Sequence, residues 1–400
     1  MSSVEQTRAE RRELARLAFA ELGAATGGIG QVHRAIADRA FRAVGPQARV
    51  AHRTHDAIAG GVYASVRAVA LALGHVAGAA AARAGDPGEP FSATPRGSVA
   101  VGALTGLVGD ALARAGSPLA QPMSVRVRGR PVALERASLA RAFPDARPRL
   151  AVFLHGLMET ERAWWLGGRP YGDRLAQDVG LTPVHVRYNS GRHVSENGRE
   201  LARLLGELVT GWPAEVDGIA LVGHSMGGLV ARSACHYGDG PWVERVRHVV
   251  ALGTPHHGAP LAGAVHVADA ALHALPETRP LGAFLRRRSA GIRDLRRGSL
   301  VDEDWRGRDP HALRAVACVE VPLLPGATHC FVSATVTRSA GHPVGRLVGD
   351  ALVLVPSASG RGRARRVGLR AEDGQHVGAT NHVALLNHPA VYERLRDWLS

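Results

Sequence analysis

The sequence contains no lysine and only three cysteines, and each scarcity narrows the class of protein. All 49 basic side chains are arginine, and 35 acidic ones leave a formal charge of +14. Arginine throughout, in a chain rich in alanine and glycine, indicates a coding bias rather than a nucleic-acid surface, so nucleic acid is not an expected partner. Cys235, Cys318 and Cys330 are too few to hold together a small secreted domain, although a Cys318–Cys330 bridge stays open.

Long apolar runs are also scarce. The longest, residues 68–82, is mostly alanine and is interrupted by His75 and two glycines. It falls short of a membrane span, and no secretory signal is expected from the polar first residues. The expected compartment is the cytoplasm. A peripheral population on a membrane or lipid surface is left open, because the arginine cluster at 361–366 could touch anionic head groups, although a solvated loop is the favoured interpretation.

Metal-binding patterns are missing as well. The chain has no Cys-x-x-Cys and no His-Glu-x-x-His pattern. His256 and His257 are adjacent on a predicted loop, and adjacent residues make a poor chelating pair. We therefore predict no metal and no cofactor.

The N-terminal part differs in character from the rest. Residues 1–90 are predicted to form an all-helical extension, with helical patterns at 10–22, 31–44 and 51–84. A proline- and glycine-rich break at 85–90 marks a linker. Packing on the remaining chain, oligomerisation and contact with a lipid surface are all open roles, and weak amphipathicity favours packing. The sequence leaves the oligomeric state undetermined.

The strongest chemical signal is Gly223-His224-Ser225-Met226-Gly227. An apolar strand-like run precedes it and a helical run follows it. A serine on such a strand-to-helix turn is held in a strained conformation with its hydroxyl exposed, and small neighbours allow strand and helix to approach. Ser225 is therefore the candidate nucleophile, and the Met226 amide at the start of the helix can face a developing oxyanion.

A second small-residue loop follows an earlier apolar strand. Residues 150–154 run into His155-Gly156-Leu157. An acyl-transfer enzyme needs two donors on the tetrahedral oxygen, and the backbone amide of Leu157 is the predicted second donor. His155 is expected to brace this loop by hydrogen bonding rather than to act as a base.

A serine nucleophile also needs a base and a carboxylate that orients the base. In hydrolases with such an elbow both follow the serine along the chain, the acid first. Asp350, after a late strand, is the candidate acid, and His382, ahead of a closing helix near Pro389, is the candidate base. The rivals are His329, His376, His388, Asp302, Glu303, Asp304 and Asp373.

These motifs together resemble the α/β-hydrolase superfamily, in particular its lipase-like branch, related to bacterial triacylglycerol lipases and GPI inositol-deacylases. The resemblance covers roughly residues 124–400. Its more specific parts are His224 and the segment Leu252-Gly253-Thr254-Pro255-His256-His257-Gly258. It implies an α/β-hydrolase domain over 91–400 with a mostly parallel central sheet and a helical cap at about 258–309. By the same resemblance, Ser225, Asp350 and His382 form a triad, with Leu157 and Met226 as the oxyanion hole.

The expected function is a serine esterase or lipase that hydrolyses carboxylic esters of small-molecule or lipid-like substrates. An acyltransferase with the same triad and a non-catalytic scaffold with a lipid-binding helical segment are the alternatives. Candidate substrate-binding residues are Trp164, after the oxyanion loop, and Leu261, Val265, Leu272 and Phe284 in the cap. Each of these side chains could instead be core.

Overall fold

A computed structural model describes residues 3–44, 49–83, 89–259, 288–310, 312, 317–362 and 365–400. The described residues fall into two compact units. The first comprises residues up to 94 together with 116–119, and the second comprises 95–115, 120–259 and the described residues from 288 onward. Most of the predicted cap at 258–309 lies outside the described residues, as do Leu261, Val265, Leu272 and Phe284, so these assignments stay predictions.

The first unit is helical, as its composition predicts. It contains α1 (Ser3–Val44) and α2 (Arg49–Arg83), which pack along each other. The patterns predicted as separate helices at 10–22 and 31–44 belong to one continuous helix. The glycines between them lower helix stability by about 1 kcal/mol each without ending the helix. The buried Glu10 carboxylate accepts hydrogen bonds from the Ser92 amide at 2.9 Å and the Ser92 hydroxyl at 2.6 Å, which fixes the segment after α2.

Helix α2 corrects one expectation about membranes. The segment His55–Arg83 is long enough to cross a bilayer, and its most apolar stretch has a mean hydropathy of 1.5. The expectation that no segment is long and apolar enough to span a membrane is therefore wrong, because the segment that meets both criteria begins at His55 rather than at Ala68. Length and composition alone are weak evidence for a span.

The second unit alternates strands and helices around one sheet. Its elements in chain order are α3 (Pro95–Arg114), β1 (Ser124–Val127), β2 (Arg130–Pro131), α4 (Arg136–Ala142), β3 (Arg149–Leu154), α5 (Tyr171–Asp178), β4 (Thr182–Arg187), α6 (Val194–Gly211), β5 (Gly218–His224), α7 (Met226–Tyr237), β6 (Val246–Leu252), α8 (Ala290–Leu295), β7 (Thr328–Ala334), α9 (Pro343–Val348), α10 (Val355–Ala358), β8 (Gly374–Val377) and α11 (Pro389–Leu399).

The sheet has eight strands in the order β2-β1-β4-β3-β5-β6-β7-β8. Strand β1 pairs antiparallel with β2 and β4, and all other pairs are parallel. The central strands β3 and β5 are apolar on both faces because helices cover both sides, as in buried parallel sheets. This architecture is the α/β-hydrolase fold that the resemblance implied.

The side chains of β3 alternate between two apolar clusters. Leu150, Val152 and Leu154 join one cluster with residues of α6 and α7, while Ala151 and Phe153 join the other with residues of α5 and α11. Burying each large side chain contributes roughly 2 kcal/mol. The two-residue period of the strand therefore directs its side chains alternately to the helices on the two faces of the sheet.

Helix α3 is held to this unit by a buried ion pair. The Arg187 guanidinium at the end of β4 contacts Glu161 through Nε at 2.5 Å and Nη2 at 2.6 Å. The same Nη2 donates to the Ser98 hydroxyl of α3 at 2.9 Å. Both charged side chains are almost fully buried. Removing one partner of such a pair leaves an uncompensated buried charge, so the pair fixes the position of α3.

Candidate active site

Ser225 lies on a sharp turn between β5 and α7. Its backbone has φ 53° and ψ −119°, a conformation that non-glycine residues rarely adopt. The turn is held by the Ser225 amide, which donates to the Leu252 carbonyl at 2.8 Å, and by the Ser225 carbonyl, which accepts from the Gly228 amide at 3.2 Å. The strained elbow predicted for this serine is present in the structure.

The glycines around Ser225 are required by close backbone approaches. A Cβ at Gly223 would overlap the backbone of Gly227 and Gly228, and a Cβ at Gly227 would overlap the Leu154 carbonyl at the end of β3. Strand, turn and helix therefore meet at distances that no larger side chain permits. These contacts place the elbow beside the loop that follows β3.

His382 and Asp350 form a buried pair. The Nδ1 atom of His382 lies 2.7 Å from Oδ2 of Asp350, and the His382 amide donates to the Asp350 carbonyl at 2.9 Å. The other oxygen, Oδ1, accepts from the amides of Leu352 and Val353 at 3.0 and 2.8 Å. An ionised carboxylate only accepts hydrogen bonds, so Nδ1 carries the proton and Nε2 is left as the basic nitrogen.

The Nε2 atom of His382 is buried and has no hydrogen-bond partner within the described ranges. A buried nitrogen without a partner is costly, and a catalytic role is one of the reasons for which proteins keep such an atom. His382 as a whole is also buried, at 4% exposure.

Ser225 and His382 are brought together through their neighbours. The residue before the serine, His224, contacts the His382 carbonyl through Nε2 at 3.2 Å, and the two imidazole rings lie 4.8 Å apart. The carbonyl that accepts from the Ser225 amide belongs to Leu252, and a Cβ on the following residue, Gly253, would lie 3.0 Å from Cε1 of His382. The predicted nucleophile, acid and base thus converge at the carboxyl ends of β5, β6 and β7.

The two amides predicted as oxyanion donors are positioned by the same loops. Leu157 follows β3, and Met226 is the first residue of α7. Neither amide has a hydrogen-bond acceptor among the residues that the structure describes. A Cβ on Gly156, the residue before Leu157, would lie 3.2 Å from Cβ of Ser225, so this loop runs alongside the serine.

Glu159 links these parts and is not among the residues predicted from the sequence. Its Oε2 atom accepts from the Gly156 amide at 2.6 Å and lies 3.1 Å from Nδ1 of His224. Glu159 therefore joins the loop after β3 to the residue before Ser225, and through His224 to the His382 carbonyl. The only sequence signal is an acidic residue three positions after Gly156, which alone would not separate it from other loop acids.

The charges of this link reinforce each other. Burial raises the pKa of Glu159, but the charge and hydrogen bond of His224, with the Gly156 amide, outweigh burial and lower that pKa to about 2. Burial lowers the pKa of His224, but Glu159 raises it above its usual value overall. The opposite pKa shifts favour the charged forms of both residues, so at mildly acidic pH they form a largely buried ion pair beneath the elbow.

We expect Glu159→Gln to destabilise the protein by about 3 kcal/mol, because it leaves the His224 charge without its partner. A carboxyl whose folded pKa is depressed contributes stability that is present above pH 4.5 and is lost as pH falls towards 2. The variant should therefore lose less stability than the wild type across that acidic interval. Urea unfolding at a series of pH values measures this difference.

The matched control for this prediction is Glu135→Gln, which removes the charge of an exposed glutamate. This control should keep the wild-type dependence of unfolding free energy on pH. Parallel pH curves for Glu159→Gln and the wild type would show that Glu159 is not held ionised by His224.

His155 braces the loop after β3, as predicted. Its Nδ1 atom lies 2.9 Å from the Gly156 carbonyl, and its Nε2 atom accepts from the Tyr188 amide at 3.2 Å. Its ring also stacks on the Tyr188 ring at 4.2 Å between centroids. Burial lowers its pKa, so His155 is a neutral structural residue with both nitrogens occupied.

The rival histidines and acids have other partners. His376 lies between the hydroxyls of Ser333 and Thr335, at 3.1 Å from each, and His388 caps α11 by accepting from the Ala390 amide. His329 lies 3.2 Å from the Leu324 carbonyl.

The rival acids are also engaged elsewhere. Asp302 pairs with Arg199 at 2.6 Å, and Asp373 pairs with Arg370 at 2.7 Å. Asp304 accepts hydrogen bonds from the backbone amides of residues 300, 301 and 319. In the described part of the chain, neither a hydrogen bond nor an ion pair joins these acids to a rival histidine.

Trp164 is part of the core. Its side chain is fully buried against Phe153 and Tyr171, with ring centroids 5.0 and 6.4 Å away. The structure therefore places Trp164 in the core, which is the alternative that the sequence left open beside substrate binding. Its neighbour Trp165 is 45% exposed and packs on His185.

Two further expectations concern cysteines and metals. Cys318 and Cys330 are free thiols, so the open question of a bridge between them is answered in the negative. Asp38, His52 and Asp56 in the helical unit are arranged closely enough to hold a metal ion. His52 Nε2 lies 2.7 Å from Asp38 and 3.2 Å from Asp56, so direct contacts of the imidazole with the two carboxylates account for the arrangement.

Several solved structures are similar to this chain. The mature lipase BlEst2 of Bacillus licheniformis is 18% identical and has a TM-score of 0.41, covering 64% of this chain and 93% of its own. EstA from Clostridium botulinum is 13% identical with a TM-score of 0.39 over 64% and 88% of the two chains. Aspergillus fumigatus lipase B is 12% identical with a TM-score of 0.38 over 61% and 50%. No curated protein sequence matches this chain.

A family match comes from the sequence around the elbow. Residues 200–273 match the PGAP1-like alpha/beta domain. This range contains β5, Ser225, α7 and β6, which are the elements that build the elbow. The match covers only these 74 residues, and together with the strand order of the sheet it supports an α/β-hydrolase fold.

Proposed function

We propose that this protein is a serine esterase that hydrolyses lipid-like carboxylic esters through an acyl-enzyme on Ser225. The observation that carries the proposal is the buried His382–Asp350 pair, whose unpartnered Nε2 atom belongs to the same loop cluster as the strained serine. Other buried side-chain nitrogens in the described residues also lack a partner, but His382 is distinguished by the Asp350 carboxylate on its other ring nitrogen and by its place beside the elbow.

In the first step Nε2 of His382 takes the hydroxyl proton of Ser225 while Oγ attacks the ester carbonyl carbon. The carbonyl oxygen becomes an oxyanion, for which the amides of Leu157 and Met226 are the donors. Asp350 stabilises the imidazolium through Nδ1. The C–O bond to the alcohol then breaks, the imidazolium gives its proton to the departing alcohol, and the acyl group stays on Ser225.

In the second step His382 takes a proton from water, and the hydroxide oxygen attacks the acyl carbon. A second oxyanion forms in the same place and collapses with release of the carboxylic acid. The imidazolium then returns its proton to Oγ of Ser225. Ser225 and His382 leave the cycle in the states in which they entered, so no cofactor is consumed.

Exposed apolar side chains that lie near the acid and the base along the chain, two of them at the end of α9, support a lipid-like substrate. Leu347 and Val348 precede Asp350, Leu352 follows it, and Val383 follows His382, with exposed fractions of 79%, 43%, 39% and 50%. Exposed large apolar side chains next to candidate catalytic residues are suited to contact with an apolar ligand. These four residues are the proposed acyl-contact residues among those that the structure describes.

We expect the double variant Leu352→Ser with Val383→Ser to lower kcat/KM for long-chain esters about tenfold, because roughly 1.5 kcal/mol of apolar contact is lost. The acetate ester should be affected much less, since it has no chain to contact these side chains. Val319→Ser, at 39% exposure on another loop, is the matched control and should leave both rates unchanged. An equal loss for all chain lengths would contradict a role in acyl binding.

Hydrolysis of p-nitrophenyl esters from acetate to palmitate tests the proposed reaction. The expected result is measurable turnover that increases towards longer acyl chains. A control with Ser138→Ala, a serine away from the site, should retain full activity. Hydrolysis that is absent for every chain length, with the protein folded, would contradict the esterase proposal and favour transfer to another acceptor or a binding role.

A further inference from the structure

Helix α2 exposes its large apolar side chains along one line. Val62, Val66, Val69, Leu73 and Val76 are spaced by four, three, four and three residues, so they follow one face of the helix. Each of them is 46–67% exposed, and only 12% of the most apolar stretch of the helix is buried. We call these five residues the α2 stripe. A continuous apolar line of this length is unusual on a surface that faces water.

The face of α2 that packs on α1 is made of small residues instead. Ala70 is 4% exposed, and Gly74 and Gly78 continue the same line. A Cβ at Gly74 would lie 2.8 Å from Cβ of Phe19, and one at Gly78 would lie 3.0 Å from the Arg12 carbonyl. Helix pairs in water bury large apolar residues between them, whereas small residues at the contact with large ones outward are typical of helices in lipid.

The charge of this unit matches an anionic surface. Residues 3–83 carry eleven arginines against six acidic residues, a formal charge of +5. At the end of the hairpin beyond Val76, an open groove of about 470 Å³ is lined by Glu5, Ala79, Ala82 and the arginines 8, 12 and 83. None of these three arginines pairs with a carboxylate in the described part of the chain. They are available for phosphate or carboxylate groups of another molecule.

The other helix makes a transmembrane placement unfavourable. The residues of α1 opposite Gly74 and Gly78 include Arg12, Phe19 and Arg16, and Arg16 pairs with Glu13 at 2.6 Å. Carrying these charges into the hydrocarbon would be costly, whereas a helix lying in the interface keeps them in water. A charged helix on one side of α2 and an apolar stripe on another suit a pair that rests on the bilayer surface.

We propose that the α1–α2 pair docks on the surface of an anionic lipid bilayer. The α2 stripe enters the boundary between head groups and acyl chains, and Arg8, Arg12 and Arg83 contact the head groups. This surface is separate from the residues proposed for catalysis, so it stands or falls without the esterase activity.

Flotation of the full chain with vesicles of ether-linked lipids tests the proposal, since ether bonds resist an esterase. The expected result is binding to vesicles of phosphatidylcholine with phosphatidylglycerol, and weaker binding to phosphatidylcholine alone. Val69→Gln with Leu73→Gln should lower the partition coefficient at least about tenfold. Glutamine favours helix, and both positions are exposed, so circular dichroism should be unchanged.

The matched control is Val99→Gln with Leu107→Gln on α3, since these residues are 63% and 48% exposed against 57% and 50% for Val69 and Leu73. The control should bind like the wild type. Replacing Arg8, Arg12 and Arg83 by glutamine should lower binding to the anionic vesicles towards the level for phosphatidylcholine alone.

Several outcomes would overturn the proposal. One is a full chain that does not float with anionic vesicles at low salt, and another is equal loss of binding in the α2 and α3 variants. If alkaline carbonate does not extract the bound protein from the vesicles, α2 spans the bilayer instead of lying on its surface. The protein could also be a dimer in the absence of lipid. If the α2 variant is then a monomer and floats as well as the wild type, the α2 stripe is the contact with a second copy of the chain.

Discussion

Ser225→Ala is expected to lower kcat/KM for p-nitrophenyl esters by about 10⁵-fold or more, because no other group can form the acyl-enzyme. The residual rate should come from substrate binding and the two backbone amides alone. The substitution should not destabilise the protein, since alanine removes only a hydroxyl and the elbow is held by the backbone bonds to Leu252 and Gly228.

The measurement is steady-state hydrolysis by wild type and variant, with thermal unfolding of both as the control for folding. Activity within tenfold of wild type would show that Ser225 is not the nucleophile. A large loss of activity together with a large loss of stability would leave the chemical role unproven, so the variant Ser225→Cys is added. Cysteine at position 225 places a thiol at the elbow, and a thiol reagent should label this residue if the elbow is exposed to small molecules.

His382→Ala is the second change with a large expected effect, about 10⁴-fold or more in kcat/KM, because Ser225 then has no base. Asp350→Asn should lower kcat/KM by at most the same factor as His382→Ala. An amide in place of the carboxylate can no longer fix the tautomer that leaves Nε2 of His382 unprotonated. The two losses should not add in the double variant, since both groups act on the same proton transfer.

His376→Ala and His388→Ala are the matched controls for the base assignment. His376 is hydrogen-bonded to two hydroxyls and His388 caps a helix, so each loss should affect stability modestly and turnover little. Normal turnover in His382→Ala, with a large loss in either control, would transfer the role of base to that histidine.

The elbow and the order of the site residues were predictable because their signals are local. A strand that leads into Gly-x-Ser-x-Gly and a helix is readable within a dozen residues, and the physical demand for small neighbours is visible in Gly223 and Gly227. The proximity of Asp350 to His382 was predictable only from chain order, since 32 residues separate them and only the sheet brings them together.

Glu159 was missed because its role depends on three-dimensional neighbours. Its partner His224 is 65 residues away, and the contact exists only because β3 and β5 are adjacent in the sheet. At Trp164 the sequence left pocket wall and core as alternatives, and the structure places the side chain in the core. Two-residue alternation on the preceding strand fixes which cluster Phe153 joins, but it does not reveal which loop side chain fills the space beside Phe153.

The long helices show a limit of periodicity. Residues 23–30 contain four glycines and read as a break, yet α1 continues through them. Packing along a partner helix outweighs a cost of about 1 kcal/mol per glycine. Likewise the apolar character of α2 was judged within residues 68–82, whereas the stripe begins at Val62 and becomes evident only when its exposure is known.

Covalent labelling with a fluorophosphonate tests the central claim most directly, because the reagent bonds to a serine only where a base and an oxyanion hole activate it. We expect one adduct per chain, found by peptide mass spectrometry on Ser225, and lost in both Ser225→Ala and His382→Ala. Absence of labelling in the folded wild type, or an adduct on a different residue, would contradict the assignment of an activated serine at this elbow.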